Sequence, residues 1–344
     1  MKKTLIIALL ALLVTGMVFA AGAKEEAVAK KAAEIKLALI VENTIDDKGW
    51  CQAMHDGITA ALAEFPEGTI EYTPVENTPS ADAKTAVESY VALGYNIIIL
   101  HGSQFRTVVE QVAPLYPDVT FAFGTTVDII GNNVFSYMPQ SEETCYLSGI
   151  VAGLTTKANK IGLIGPLDAG DSARYNRGFV LGVQSVNPEA KISITHIGSF
   201  GDVVKSNEAA QVFITAGNDV LTGSSQQALG ALGAVAEYPD KDIWWVGQDT
   251  AQIGLDVGYK CIAASSYTYK GFVVDLINNY KNGVLGGALI PMNFNNGSFY
   301  WAWNEKCADK ITAEMKAAVE NKIAEFTAQA NTLSNWSDVD YSKL

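Results

Sequence analysis

The stretch Asn43-Thr44-Ile45-Asp46-Asp47-Lys48-Gly49-Trp50-Cys51-Gln52 gathers an indole, two carboxylates, two amides and a glycine in one short segment. An indole offers a flat apolar face on which a planar heterocycle can stack, worth about 1–3 kcal/mol per base with little regard to which base. A core tryptophan at a helix start is the competing role for Trp50, and its polar neighbours favour stacking. The amides of Asn43 and Gln52 donate and accept, matching a base edge that carries both kinds of group. Asp46 and Asp47 can cap a helix and favour its dipole, or accept from a ligand. Asp47 suits the cap and Asp46 the ligand.

Two further segments carry candidate contacts. Gly102-Ser103-Gln104 follows the apolar run Asn96–His101, so the Ser103 hydroxyl and nearby backbone N–H groups can meet a ligand. A nucleophilic Ser103 would need a base beside it, and none is placed there. His55, His101 and His196 are scattered and lack a carboxylate partner at catalytic spacing, although His101 ends a strand and can line a cleft. Neither a His-Glu-x-x-His, a Gly-x-Ser-x-Gly nor a phosphate loop occurs. No metal-ligand spacing and no cofactor motif is found.

The elements that must position these groups alternate. Apolar runs at Lys36–Val41, Thr69–Val75, Asn96–His101, Val119–Phe123 and Val134–Tyr137 read as buried strands. Between them lie runs of helical period, among them Ala53–Phe65, Ala81–Leu93 and Arg106–Leu115, with Gly94 and Pro117 just past helix ends. Such alternation predicts parallel sheet with helical crossovers. Glu142–Thr155 reads as a bridging helix to a second series, with strands at Lys160–Ile164, Lys191–Ile197, Asp219–Thr222, Asp242–Val246 and Cys261–Ser265. Helices at Ala173–Val186, Ser206–Ala216 and Gln227–Tyr238 separate them. The reading is α/β: two doubly wound lobes of five strands each, joined by a hinge, with a ligand cleft between them. In open parallel sheets ligands meet the C-terminal strand ends, where the Asn43–Gln52 loop lies. The first lobe is expected over residues 35–141 plus about 271–300, and the second over 142–270 plus about 301–344. The tail supplies a helix, an irregular section at Asn293–Trp303 and a last helix around Thr312–Ala330, and is expected to cross back and lock the hinge. Phe200, in the second lobe, is either a strand-end core residue or the opposing face of a sandwich with Trp50.

Residues 1–20 combine Lys2 and Lys3, an apolar core from Leu5 to Val14 and the small-residue exit Val18-Phe19-Ala20, the pattern of an export signal. No cysteine stands near the exit, so a lipid anchor is not expected. Residues 21–34, rich in Ala, Lys and Glu, read as a tether. The formal charge is −13, and losing the signal removes lysines but no acids. An acidic chain disfavours nucleic acid and anionic membrane as partners. A soluble exported monomer is expected. Export permits disulfides; Cys261 and Cys307 can pair or stay free, whereas Cys145 reads as a buried thiol.

Several segments in series resemble the basic membrane protein family of ABC-transporter substrate-binding proteins, which includes purine nucleoside receptors. Asp46-Asp47-Lys48-Gly49-Trp50 resembles its first-loop pattern, Asp-x-Ser-Phe-Asn or Asp-x-Gly-Trp. Gly178-Phe179-x-x-Gly182-Val183-x-Ser185-Val186-Asn187-Pro188 resembles a second-lobe helix end, and Gly198-Ser199-Phe200-x-Asp202 the loop Gly-Ser-Phe-x-Asp. Gly247-Gln248-Asp249-Thr250-Ala251-Gln252 resembles Gly-Val-Asp-Ser-Asp-Gln. These span roughly Ile35–Ile277. The resemblance implies a type I periplasmic-binding-protein fold that delivers a purine nucleoside or nucleobase to an inner-membrane permease. It favours Asp249 as a carboxylate gripping the two ribose hydroxyls over Asp249 as a helix cap. Three departures matter: Trp50-Cys51 replaces Phe-Asn and is closer to a nucleobase branch, Thr125 replaces an acid, and Tyr267 stands where a lysine is expected. The implied ligand set is Asn43, Asp46, Trp50, Gln52, Ser103, Phe200, Asp249 and Tyr267. The rival functions are an exported nucleoside hydrolase of two-lobed form, which needs an activated water, and a regulator of the LacI type. The latter would begin with a helix-turn-helix instead of an export signal.

Overall fold

The computed structural model describes residues 34–46, 50–329 and 332–344. The export signal at 1–20, the tether up to residue 33, and Asp47, read as the helix cap, lie outside them. The first sheet is built from β1 (Ile35–Ile40), β2 (Ile70–Val75), β3 (Ile97–His101), β4 (Thr120–Gly124) and β5 (Val134–Pro139). Helices α1 (Trp50–Leu62), α2 (Ser80–Ala92) and α3 (Arg106–Val112) connect the first four of these strands. Helix α4 (Ser141–Thr155) leads to β6 (Lys160–Gly165), α5 (Gly170–Val186), β7 (Lys191–His196), α6 (Val203–Thr215), β8 (Val220–Gly223), α7 (Ala228–Ala236), β9 (Trp244–Gly247) and β10 (Cys261–Tyr267). The tail adds α8 (Lys270–Lys281), β11 (Ala288–Met292), β12 (Phe299–Trp303) and α9 (Ala313–Ala328).

The strand order is β11-β5-β4-β3-β1-β2 in one sheet and β12-β10-β9-β8-β6-β7 in the other. All pairings are parallel except β10 with β12. Both sheets are thus α/β and doubly wound, as the alternation predicts. Each has six strands, not five, because the tail donates β11 to the first and β12 to the second. The section at Asn293–Trp303, read as irregular, ends in a strand. Its aromatic run Phe299-Tyr300-Trp301-Ala302-Trp303 suits a pleated edge, but the Asn/Gly turn before it masks the period.

Continuous apolar runs such as Ile97-Ile98-Ile99-Leu100 form strands buried on both faces. Gly94, at φ +83, turns the chain out of α2 toward β3. One apolar cluster extends over both sheets, from Leu39 and Phe135 to Val246 and Ile262, through residues of α4, α5 and α8. Helices α4 and α5 meet backbone to backbone. A Cβ at Gly182 would lie 2.1 Å from the Tyr146 carbonyl oxygen, and one at Gly149 2.2 Å from that of Phe179. The Gly178-x-x-x-Gly182 spacing singled out in the sequence is therefore a close-packing feature of the second lobe.

The chain passes between the sheets three times, and the crossings lie side by side. Gln140 N–H donates to the Met292 carbonyl (2.8 Å) and Thr268 N–H to that of Ser298 (2.7 Å). The Asn293 amide donates to Gln140 Oε1 (2.9 Å), and Phe294 N–H donates to the Glu143 carboxyl (3.0 Å). Glu143 is 1 % exposed, and burial, with Glu142 adding like charge, pushes its pKa up to about 8. It is therefore protonated at neutral pH. Its folded pKa exceeds the unfolded value, so its stabilising contribution is complete below the unfolded pKa and is lost as pH rises through about 8. Thermal melts should show wild type losing stability as pH rises from the ordinary glutamate range to about 8, by at most about 1.4 kcal/mol per pH unit from this group, with the slope vanishing above that. Glu143→Gln, which keeps an acceptor for Phe294 N–H without an ionisable proton, should flatten that slope. A variant with the wild-type slope would remove Glu143 from the hinge account.

Candidate ligand cleft

The sequence-selected residues emerge from the C-terminal ends of parallel strands, as the edge rule requires. Asn43, Asp46 and Trp50 follow β1, Ser103 follows β3, Phe200 follows β7, Asp249 follows β9, and Tyr267 ends β10. A surface cavity of about 520 Å³ beside Pro114, Pro117, Ile130 and Asn133 sits at the opposite, N-terminal strand ends and is lined by no charged side chain. It is not the site these residues define.

Trp50 is the first residue of α1 and is half-buried. Its ring stacks on His101, with centroids 4.3 Å apart and planes 8° from parallel. The edges of Tyr267 (6.4 Å, 73°) and Tyr269 (5.9 Å, 89°) close the group. Gly57, about two turns along α1, makes room for Tyr269, since a Cβ there would meet the Tyr269 Cβ at 2.6 Å. His101 is wholly buried, with Nε2 3.1 Å from the Trp50 carbonyl oxygen and Nδ1 2.6 Å from the Tyr137 hydroxyl. A carbonyl only accepts, so Nε2 carries the proton and Nδ1 accepts from Tyr137. The indole is thus backed by the imidazole on one face.

Asp249 stands just after β9 of the second sheet. Its Oδ1 accepts from Ala251 N–H at 2.9 Å, so the carboxylate does the work of a cap. Burial raises its pKa above the usual aspartate value, while the hydrogen bonds from Ala251 N–H and the Ser266 hydroxyl pull the other way. Ser266 adjoins Tyr267 on β10, which links Asp249 to the aromatic group through one strand end.

The other selected residues are more loosely placed. Phe200 is 50 % exposed, which excludes the core role and leaves its ring on the second lobe's rim. Its carbonyl accepts from Gln227 N–H (2.8 Å). Ser103 is exposed on a short 3₁₀ turn, and neither it nor Phe200 joins the aromatic group. Asn43 is exposed, with its carbonyl accepting from Asn77 N–H (3.2 Å). Asp46 is exposed too, on a loop held by Ile45 N–H donating to Glu76 (2.8 Å). Gln52 is half-buried, its Nε2 3.5 Å from Asp56 on the next turn of α1. Asp202 caps α6 through Lys205 N–H (3.0 Å). Arg174 and Arg177 on α5 are occupied. Arg174 pairs with Glu142 (2.5 Å) and lies over Trp336, and Arg177 pairs with Asp168 and lies over Tyr341.

Sequence reasoning left out Tyr269 and gave His101 no specific role, because a lone aromatic past a strand end looks the same whether core or site. It also passed over Ser224 and Gln227 after β8, whose Oγ and Oε1 are buried without a hydrogen-bond partner among the described residues. The serine run Ser224-Ser225 at a strand end was the available signal. All four cysteines are buried and none is in a disulfide; Cys307 Sγ lies 3.4 Å from the Cys261 carbonyl oxygen, and the two are not bridged. Among the described residues no cluster of His, Cys, Asp or Glu has the arrangement of a metal site, and no helix is long and apolar enough to cross a membrane.

Residues 34–294 match the family described as ABC transporter substrate-binding protein PnrA-like. The chain is 28 % identical over 312 residues to the ABC transporter nucleoside-binding protein BmpA of Lactococcus lactis, covering 84 % of this chain and 86 % of that one. It is 27 % identical over 221 residues to a purine-binding protein of Brucella abortus, covering 64 % and 61 %. Among solved structures, an ABC transporter solute-binding protein from Conexibacter woesei superposes with a TM-score of 0.72 at 19 % identity, over 88 % of this chain and 99 % of that one.

Proposed function

Because the chain belongs to the PnrA-like family of ABC transporter substrate-binding proteins, we propose that its cargo is a purine nucleoside and that it is exported to collect it. As a member of that family it binds a small molecule and hands it to a membrane permease, and it is not an enzyme; the hydrolase reading falls with that assignment. The observation that carries the purine reading is the half-buried indole of Trp50, backed on one face by His101 at the strand-end edge. A supported indole of this kind suits a planar ring. The Asp249 carboxylate on the facing lobe suits a vicinal diol, because charge-assisted bonds from two hydroxyls are stronger than neutral ones. The relatives described as nucleoside-binding and purine-binding support the same cargo class. The bare nucleobase is the second reading. It is favoured by the Trp50-Cys51 pair and by the Ala251 N–H that already occupies part of Asp249.

Trp50→Ala should weaken binding of a purine nucleoside by about 1–3 kcal/mol while the protein stays folded, and Trp50→Phe should keep much of the affinity. Wild-type affinity in Trp50→Ala would refute the stacking assignment. Calorimetry with guanosine, 2′-deoxyguanosine and guanine should rank them in that order, since a buried carboxylate left without the diol is penalised. The diol donates to the ionised carboxylate, and burial raises the Asp249 pKa. Guanosine affinity should therefore decline on acidification from a pH above the ordinary aspartate range, and guanine affinity should not. Asp249→Asn should erase both the preference and the pH dependence. Guanine binding as tightly as guanosine, indifferent to the substitution, would move the cargo to the nucleobase class.

A further inference from the structure

His101 is the point at which three elements meet. It ends β3, in register with Gly124 of β4, which is itself in register with Tyr137 of β5. A Cβ at Gly124 would lie 2.3 Å from the Tyr137 ring. The glycine therefore leaves the gap through which Tyr137 reaches across β4, and its hydroxyl meets His101 Nδ1 at 2.6 Å. The three rings form a layered series, with Tyr137 19° from parallel to His101 at 6.0 Å, and His101 8° from parallel to Trp50 at 4.3 Å.

We propose that His101 is a positioning residue for the cargo: stacked on one face of Trp50 and holding the Trp50 carbonyl through Nε2–H, it fixes the plane in which the indole meets the ligand. The proposal rests on the reading that the cargo stacks on Trp50. A helix's first residue has no intrahelical partner for its own N–H, so this end of the helix is held more weakly than its interior, and an indole left to settle on binding would cost affinity. The imidazole supplies two constraints at once, one on the ring and one on the backbone. Phenylalanine at 101 could supply the first but not the second. The Trp50 carbonyl, which only accepts, holds the proton on Nε2, and the Tyr137 hydroxyl completes the pair by donating to Nδ1.

Two measurements test this. Nitrogen-15 chemical shifts of the His101 ring should report a protonated Nε2 and a bare Nδ1, and the opposite tautomer would overturn the hold on the Trp50 carbonyl. Calorimetry with guanosine would then compare wild type, Trp50→Ala, His101→Phe and the double variant, each checked for folding by its thermal melt. His101→Phe should raise Kd about three- to tenfold. The double variant should bind no more weakly than Trp50→Ala alone, because His101 acts through the indole. Losses that add in the double variant, or wild-type affinity in His101→Phe beside a weakened Trp50→Ala, would overturn the positioning role and leave the stacking reading intact. Unchanged binding in Trp50→Ala would instead overturn the stacking reading itself. Should His101→Phe not fold, Tyr137→Phe keeps the ring and removes only the hydroxyl. It should leave Nδ1 without its donor, move the Nδ1 nitrogen-15 shift and give a smaller rise in Kd, and a wild-type shift and affinity would count against the proposal.

Discussion

Three chain crossings must pass between two sheets at one edge while every backbone N–H and C=O they bury finds a partner. The structure meets this by laying the crossings against one another. Gln140 bonds Met292, Thr268 bonds Ser298, Asn293 bonds Gln140, and the Glu143 carboxyl takes the Phe294 N–H. A carboxyl suits that last position because, protonated, it brings an acceptor without a buried charge. The extra strands β11 and β12 follow from the same constraint. Each lies along the edge where its crossing begins or ends, so the tail is bound into both sheets.

With the crossings fixed, the end of β10 meets Trp50, and the candidate site is drawn from segments that share no sequence neighbourhood. Trp50 comes from the start of α1, His101 from β3, Tyr267 and Tyr269 from the crossing after β10, and Asp249 from the loop after β9. Tyr267 and Tyr269 sit on the crossing itself and touch Trp50 with their edges. On the proposed stacking of the cargo on Trp50, the aromatic group would join the crossing to the cargo surface and couple lobe movement to occupancy, as in hinge closure.

Much of this was legible in the residues. Uninterrupted apolar runs such as Ile97-Ile98-Ile99-Leu100 mark strands buried on both faces, and the polar neighbours of Trp50 at a strand exit mark it as a candidate ligand surface. The strand Phe299–Trp303 was hidden because its alternation is short and follows an Asn/Gly turn. The stack of His101 under Trp50 was hidden for another reason. It depends on the register of β3, β4 and β5 and on the gap at Gly124, none of which one strand's sequence carries. Arg174 and Arg177 illustrate the same limit. Their helical spacing is visible, but the Trp336 and Tyr341 rings that cover them arrive from the far end of the chain.

The central claim is that one cargo molecule is held between two lobes that close around it. Small-angle scattering of the protein alone and with saturating guanosine tests it directly. The account predicts a smaller radius of gyration and a shorter maximum dimension with guanosine. Identical scattering profiles at a concentration where calorimetry shows full occupancy would contradict it.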